Sequence, residues 1–295
     1  MKIGFIGAGK VGRTLAQVWH AAGVDVSTVY SLTPANAVAL AARVDATVAE
    51  NAAQVVSACD ITFLTVPDDA IGSVALDVAR HNPDIARKTV VHTSGAHSVA
   101  VLAPLADAGV VVGSLHPALP FADVETAVQA VRGATFAIET DDTTLDDQLS
   151  HLVSLLDGQV IRVPTERKAL YHAALVFASN YTVTLYNIAE RLLATFSDDN
   201  AAIATALNTL VTATVENLRQ QGTPHALTGP LVRSDTGTIA AHLPALREFD
   251  EQLPEVYAAL ARQTYTMLAA RGIDTRSIEQ TLRQDSENHG TADNT

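Results

Sequence analysis

The chain opens with a short apolar run, Lys2-Ile3-Gly4-Phe5-Ile6. Gly7-Ala8-Gly9-Lys10-Val11-Gly12 comes next, and then an amphipathic segment from Val11 to Ala22. Strand, glycine turn and helix in this order narrow sharply what the chain can become. In such a turn the first glycine permits the tight bend and the second lets a pyrophosphate approach the backbone. The third allows the helix to pack close on the strand. The helix N-terminus then presents free N–H groups and the positive end of its dipole to the phosphates. Gly7, Ala8, Gly9, Lys10, Val11 and Gly12 are therefore expected to bind a dinucleotide.

The rest of the first half of the chain fits that opening. Strands are expected near Lys2–Ile6, Asp25–Tyr30, Ala46–Val48, Asp60–Val66, Thr89–His92, Val110–Ser114, Ala134–Glu139 and Gln159–Val163. Helical stretches such as Val11–Ala22, Pro34–Arg43, Ala70–His81 and Thr144–Leu156 lie between them. This alternation means parallel strands with crossover helices, a doubly wound α/β sheet, with an antiparallel edge allowed at the end. After Pro164 only long helical segments remain. The expected architecture is an N-terminal doubly wound Rossmann sheet followed by an all-α C-terminal domain. Its parts are a dinucleotide-binding domain over 1–164, a helical substrate and dimerisation domain over 165–284, and a disordered tail over 285–295.

Charge and composition exclude several functions. With a net charge of −13, the chain would be repelled by a nucleic acid or an anionic membrane. A single cysteine, Cys59, excludes an internal disulfide and a thiolate metal cluster and fits a reducing compartment. The N-terminus is too short and too soon broken by glycine for a signal peptide, and no long apolar span occurs. A cytoplasmic protein is expected. Its ten histidines show no metal-ligand spacing, and no metal is expected.

The second strand bears on cofactor choice. An NAD enzyme usually carries a carboxylate about 20 residues after the turn for the ribose hydroxyls. Here the strand ends Val29-Tyr30-Ser31-Leu32-Thr33, with no carboxylate and no arginine. Ser31 and Thr33 leave room for a 2′-phosphate and can donate to it, which favours NADP(H) over NAD(H). Val66 and Pro67, at the end of the fourth strand, are expected to border the cofactor, and Asp68 or Asp69 to cap the next helix.

Ligands of open α/β sheets sit outside the strand carboxyl ends. His92-Thr93-Ser94-Gly95 and Ser114-Leu115-His116-Pro117 place polar groups there, so Ser94 is expected near the cofactor or substrate and His116 near the substrate. His92 fits turn hydrogen bonding equally well. In the apolar segment from Arg167, helical spacing puts Lys168, His172 and Ser179 within one narrow arc, continued by Thr182, Tyr186 and Glu190. A polar stripe on so hydrophobic a helix suggests a buried cleft. Lys168 could protonate a carbonyl oxygen with His172 sharing that work, Ser179 contacting substrate and Asn180 lying some 100° off the stripe. Arg233, in the loop Gly229-Pro230-Leu231-Val232-Arg233-Ser234-Asp235, could hold a substrate carboxylate in bidentate fashion or pair with Asp235.

Taken together these motifs resemble one family, the Rossmann-like oxidoreductases with a C-terminal domain of unknown function 2520. It lies within the 6-phosphogluconate dehydrogenase superfamily, beside ketopantoate reductase and pyrroline-5-carboxylate reductase. The resemblance spans nearly all of residues 1–284 and implies a helical substrate domain, an active site between domains and a homodimer. Two departures stand out. Leu32 comes after the serine of the second strand where such relatives often carry arginine, and His172 stands where several superfamily dehydrogenases place asparagine four residues after lysine. The resulting expectation is an NADP(H)-dependent oxidoreductase that reduces the carbonyl, or imine, of a small carboxylate such as a 2-oxo acid. A non-catalytic dinucleotide sensor and a deazaflavin-linked NADP reductase are the alternatives.

Overall fold

The computed structural model describes residues 1–81 and 85–289. The chain divides into two compact units, one ending at Thr182 and one starting at Val183. In the first unit the chain alternates strands and helices. It begins β1 (Lys2–Ile6), α1 (Lys10–Ala21), β2 (Asp25–Tyr30), α2 (Pro34–Val44), β3 (Thr47–Val48), α3 (Ala52–Ala58) and β4 (Ile61–Leu64). It continues α4 (Asp68–His81), β5 (Thr89–His92), a 3₁₀ turn (Val99–Leu102), α5 (Ala103–Asp107), β6 (Val111–Pro117) and α6 (Val124–Ala130). It ends β7 (Thr135–Glu139), α7 (Thr143–Ser154), β8 (Gln159–Arg162), a second 3₁₀ turn (Thr165–Arg167), α8 (Lys168–Leu175) and a π-helical segment (Val176–Asn180). All eight expected strands are present.

The sheet order is β3-β2-β1-β4-β5-β6-β7-β8, the doubly wound arrangement in which the strand order reverses beside β1. Every pair is parallel except β6 and β7, so the antiparallel step lies inside the sheet and β8 returns to parallel pairing. β1, β4 and β5 are almost wholly buried because helices cover both faces. On one face Phe5, Trp19 and Phe63 stack within 4.9–6.2 Å of one another, and the Trp19 indole N–H donates to the Leu152 carbonyl at 3.0 Å.

α9 (Tyr181–Leu193) carries the chain into the second unit, which is helical: α10 (Asn200–Gln221), α11 (Thr236–Phe249), α12 (Leu253–Ala270) and α13 (Arg276–His289). Its core is Ile239, Leu243, Ala258, Ala261, Leu268, Ile278 and Leu282, from the last three helices. The tail expected to be disordered from Asp285 is helical as far as His289, because Arg247 pairs with Asp285 at 2.6 Å and Leu282 is buried in the core. Residues 290–295 lie outside the described residues.

One packing expectation is overturned. The hydrophobic helix after Arg167 is not buried: Lys168 alone among residues 168–193 is fully enclosed, while Leu170 and Phe177 are 63% and 68% exposed. No helix among the described residues is long and apolar enough to cross a membrane.

Candidate active site

Two groups of residues occupy the carboxyl end of the sheet in the first unit. The first is the glycine turn. Gly7 sits at φ 105°, which favours glycine, and a Cβ there would meet the Thr65 carbonyl at 2.6 Å. A Cβ on Gly12 would meet the Gly7 carbonyl and the Thr65 hydroxyl at 2.5 Å. Thr65, which no sequence motif marks, closes the turn by donating from its hydroxyl to the Gly7 carbonyl at 2.7 Å. Gly9 differs from both: nothing lies within 4 Å of where its Cβ would be. It caps α1 without a side-chain hydrogen bond, and the first turn of α1 holds no acid. A tight turn, an open face at the middle glycine and an uncapped, unneutralised helix start are the cradle that a pyrophosphate requires.

The rest of the expected cofactor set lies on the same rim. Gly7 N–H donates to the Tyr30 carbonyl at 2.8 Å, which brings Ser31 and Thr33 beside the turn. Val66 is half-buried and Pro67 exposed at the end of β4, where the Thr65 amide donates to the Ile6 carbonyl at 2.8 Å.

The second group gathers from four elements. Lys168, at the start of α8, is 1% exposed. Its ammonium lies 3.2 Å from Glu139 at the end of β7 and donates to the Ser114 hydroxyl on β6. Burial pulls the Lys168 pKa down, and Glu139 holds it up. The other Glu139 oxygen accepts the Val99 amide at 2.8 Å and so anchors the loop after β5. Ser94 anchors the start of that loop: its hydroxyl donates to Asp68 at 2.9 Å and accepts the amides of Ala96 and His97. Ser94 thus spends its hydroxyl on the loop, and Asp68 serves it from the first turn of α4.

The histidines divide by exposure. His92 is fully buried; its Nδ1 accepts the Ser94 amide at 3.2 Å, so the proton resides on Nε2. Burial, then the Lys168 charge, press its pKa to about 3. His116 is half-buried, with Nδ1 2.8 Å from the Tyr171 hydroxyl. Burial and Lys168 bring its pKa to about 4, and burial lifts Tyr171 to about 12. The pair is therefore neutral across the physiological range. His116 and His172 meet at Gly95, where a Cβ would lie 2.7 Å from His116 Nε2 and 2.9 Å from His172 Cδ2. A groove of about 320 Å³ runs from His172 and Ala96 over Ala169, Ala173, Val176 and Phe177.

Of the residues that the sequence marks, Ser94, His116, Lys168 and His172 come together here. Ser179 and Asn180 are exposed in the π segment. A π turn takes in one residue more than an α turn, so the Lys168/His172 face is continued one position later than α spacing expects, at Asn180. Arg233 belongs to the second unit, is exposed, and lies 3.9 Å from Asp235. Glu139 and Tyr171 join the cluster without having been expected there. Tyr171 was signalled only by adjacency to His172, and Glu139 only as a lone acid ending an apolar strand.

Residues 1–117 match the Rossmann-like domain family, and residues 134–264 match a domain of unknown function, DUF2520. No curated protein matches the sequence. Among solved structures, a Bacteroides fragilis protein described as a candidate NADP oxidoreductase is 23% identical, with a TM-score of 0.67 over 90% of this chain and 98% of that one. An imine reductase from Myxococcus stipitatus in complex with NADP⁺ is 19% identical, with a TM-score of 0.62 over 92% and 95%. A Plasmodium falciparum pyrroline carboxylate reductase with NADP bound is 13% identical, with a TM-score of 0.61 over 97% of each chain. At these identities the likeness is one of fold. The sheet order and the two matches agree on the parts of the chain: a Rossmann-like region over residues 1–117 and a region matching DUF2520 over residues 134–264.

Proposed function

We propose that this protein is an NADP(H)-dependent oxidoreductase that reduces the C=O or C=N bond of a small molecule. The observation that carries the reading is the glycine turn, closed at Gly7 and Gly12 by contacts that leave no room for a Cβ and open at Gly9. The polar cluster on the same end of the sheet supplies the rest. The NADP complexes of the imine and pyrroline carboxylate reductases support the cofactor and the reaction class.

When bound, reduced NADP supplies the hydride. The chain's residues hold the cofactor and manage the proton. Gly9, Lys10 and the first amides of α1 would hold the pyrophosphate. Lys168 is enclosed between Glu139 and Ser114, so its part is to position: it fixes Glu139, which fixes the loop bearing Ser94 and Gly95. The His116–Tyr171 pair, with His172 beside it at Gly95, is neutral, so its part would be to orient the substrate by hydrogen bonds and to relay a proton from solvent through the Tyr171 hydroxyl. The groove beside His172 would take an apolar substrate body. A small carboxylate as substrate belongs to the same proposal, as do a homodimer and a cytoplasmic setting.

The test is NADPH consumption over a panel of 2-oxo acids, plain ketones, cyclic imines and cyclic imine acids, after NADPH binding is shown by fluorescence titration. Turnover of one class identifies the reaction and shows whether a carboxylate is needed. NADPH binding with no turnover on any class would overturn the reductase reading in favour of a dinucleotide sensor.

A further inference from the structure

The second strand ends without the arginine that a 2′-phosphate usually meets, yet the fold brings one there from another element. Arg13 lies one turn into α1, and its Nη2 donates to the Asn36 amide oxygen, in the first turn of α2, at 3.0 Å. The two first turns are thereby tied across the tip of β2, which the Gly7–Tyr30 hydrogen bond holds beside the glycine turn. This is where the adenosine ribose lies in a doubly wound dinucleotide site.

We propose that Arg13 is the residue that selects a cofactor bearing a ribose 2′-phosphate, an inference that rests on the dinucleotide-binding reading above. Three observations point to a missing anion. First, the Arg13 Nε–H is buried and has no hydrogen-bond partner, a costly state for a charged donor. Second, no carboxylate among the described residues pairs with Arg13, whereas Arg162, Arg191, Arg247 and Arg276 each pair with an aspartate. Third, the side chain that Arg13 does meet, Asn36, is a neutral amide, which orients the fork without spending its charge.

The surroundings agree. Thr33 caps α2 without using its hydroxyl, and the first turn of α2 holds no acid, so a dianion would meet a free hydroxyl and the positive helix end. A planar fork suits a phosphate better than an ammonium does.

NADPH and NADH are titrated by cofactor fluorescence against the full chain and two variants. Arg13→Gln keeps a donor for Asn36 and removes the charge. Asn36→Asp places a carboxylate on Arg13 at a helix start where an acid favours folding, so misfolding cannot explain its effect. Both are expected to weaken NADPH binding by about tenfold to a hundredfold, the scale of a hydrogen bond to a charged group, and to leave NADH within about twofold. A wild-type preference retained in both variants, or equal losses of both cofactors, overturns the assignment of Arg13. A wild-type chain that binds neither dinucleotide overturns the underlying reading as well.

Discussion

Removing Lys168 would leave the Glu139 carboxylate enclosed with no cation, since each side chain is only 2% exposed. Breaking such a pair from one side costs about 3–5 kcal/mol, whereas replacing both members with neutral groups costs far less. Lys168→Met should therefore lower the urea midpoint strongly, and Lys168→Met/Glu139→Gln should recover most of the loss. A single-variant cost below about 1 kcal/mol would remove Lys168 from its structural role and return it to the direct proton-donor role that the sequence suggested. His92 and His116 make a pH prediction whose sign is fixed. Their folded pKa values, about 3 and about 4, lie below the 6.5 of the unfolded chain. Above 6.5 neither contributes; below it the unfolded chain takes up protons that the folded one refuses. Stability should fall as pH drops from 6.5, by up to about 1.4 kcal/mol per pH unit per histidine, levelling for His116 near pH 4. Denaturation of His116→Gln between pH 6 and 4.5 should show a slope shallower by about that amount; an unchanged slope counts against the buried neutral imidazole. At this scale the sequence was only partly legible. It marked Lys168, His116 and His172 by type and spacing, but a partner on a distant strand, as Glu139 is, leaves no periodic trace.

At the scale of elements, the glycine turn separates packing from binding. Gly12→Ala must push a Cβ into the Gly7 carbonyl and the Thr65 hydroxyl, both at 2.5 Å, so it should destabilise the first unit and spoil the turn. Gly9→Ala meets nothing within 4 Å and sits in extended backbone at φ −77°, so its melting temperature should match the wild type. If the open face at Gly9 is where the pyrophosphate approaches, Gly9→Ala should nonetheless weaken NADPH by about tenfold or more, since a methyl then stands between phosphate and backbone. Wild-type affinity in Gly9→Ala would show that the phosphates lie elsewhere. Elements were the most legible level: short β-branched runs between helical stretches sufficed for all eight strands, the exposed β3 and β8 as well as the buried central ones. The π segment at Val176–Asn180 was not legible, because apolar and small residues there fit α and π winding alike. It shifts by one residue which side chain continues the Lys168 face.

For the whole molecule, the sequence showed abundant apolar helix surface but not where it would go. The helix after Arg167 in particular was expected to be largely buried within the chain. Instead Leu170 and Phe177 in the first unit, and Leu210 and Val215 in the second, stand mostly in the open, the last two at 64% and 57% exposure. α10 shows the same imbalance: over 22 residues it buries only Ile203 and Leu207. Monomeric proteins seldom leave apolar helix faces of this kind bare. A second copy is the cover that the proposed function includes, and it has an electrostatic consequence. Each chain carries −13, so two copies must associate against their mutual repulsion, on apolar contact rather than on charge. Added salt screens that repulsion without weakening apolar burial, so the dimer should tighten as salt rises. Sedimentation at micromolar concentration should show a dimer that strengthens between low and high salt. Leu210→Asp/Val215→Asp should then shift it to monomer while leaving the far-ultraviolet helical signal intact, because neither side chain is in a core. A wild-type monomer at every salt concentration, or a double variant that still dimerises fully, would mean that α10 is not the covered face.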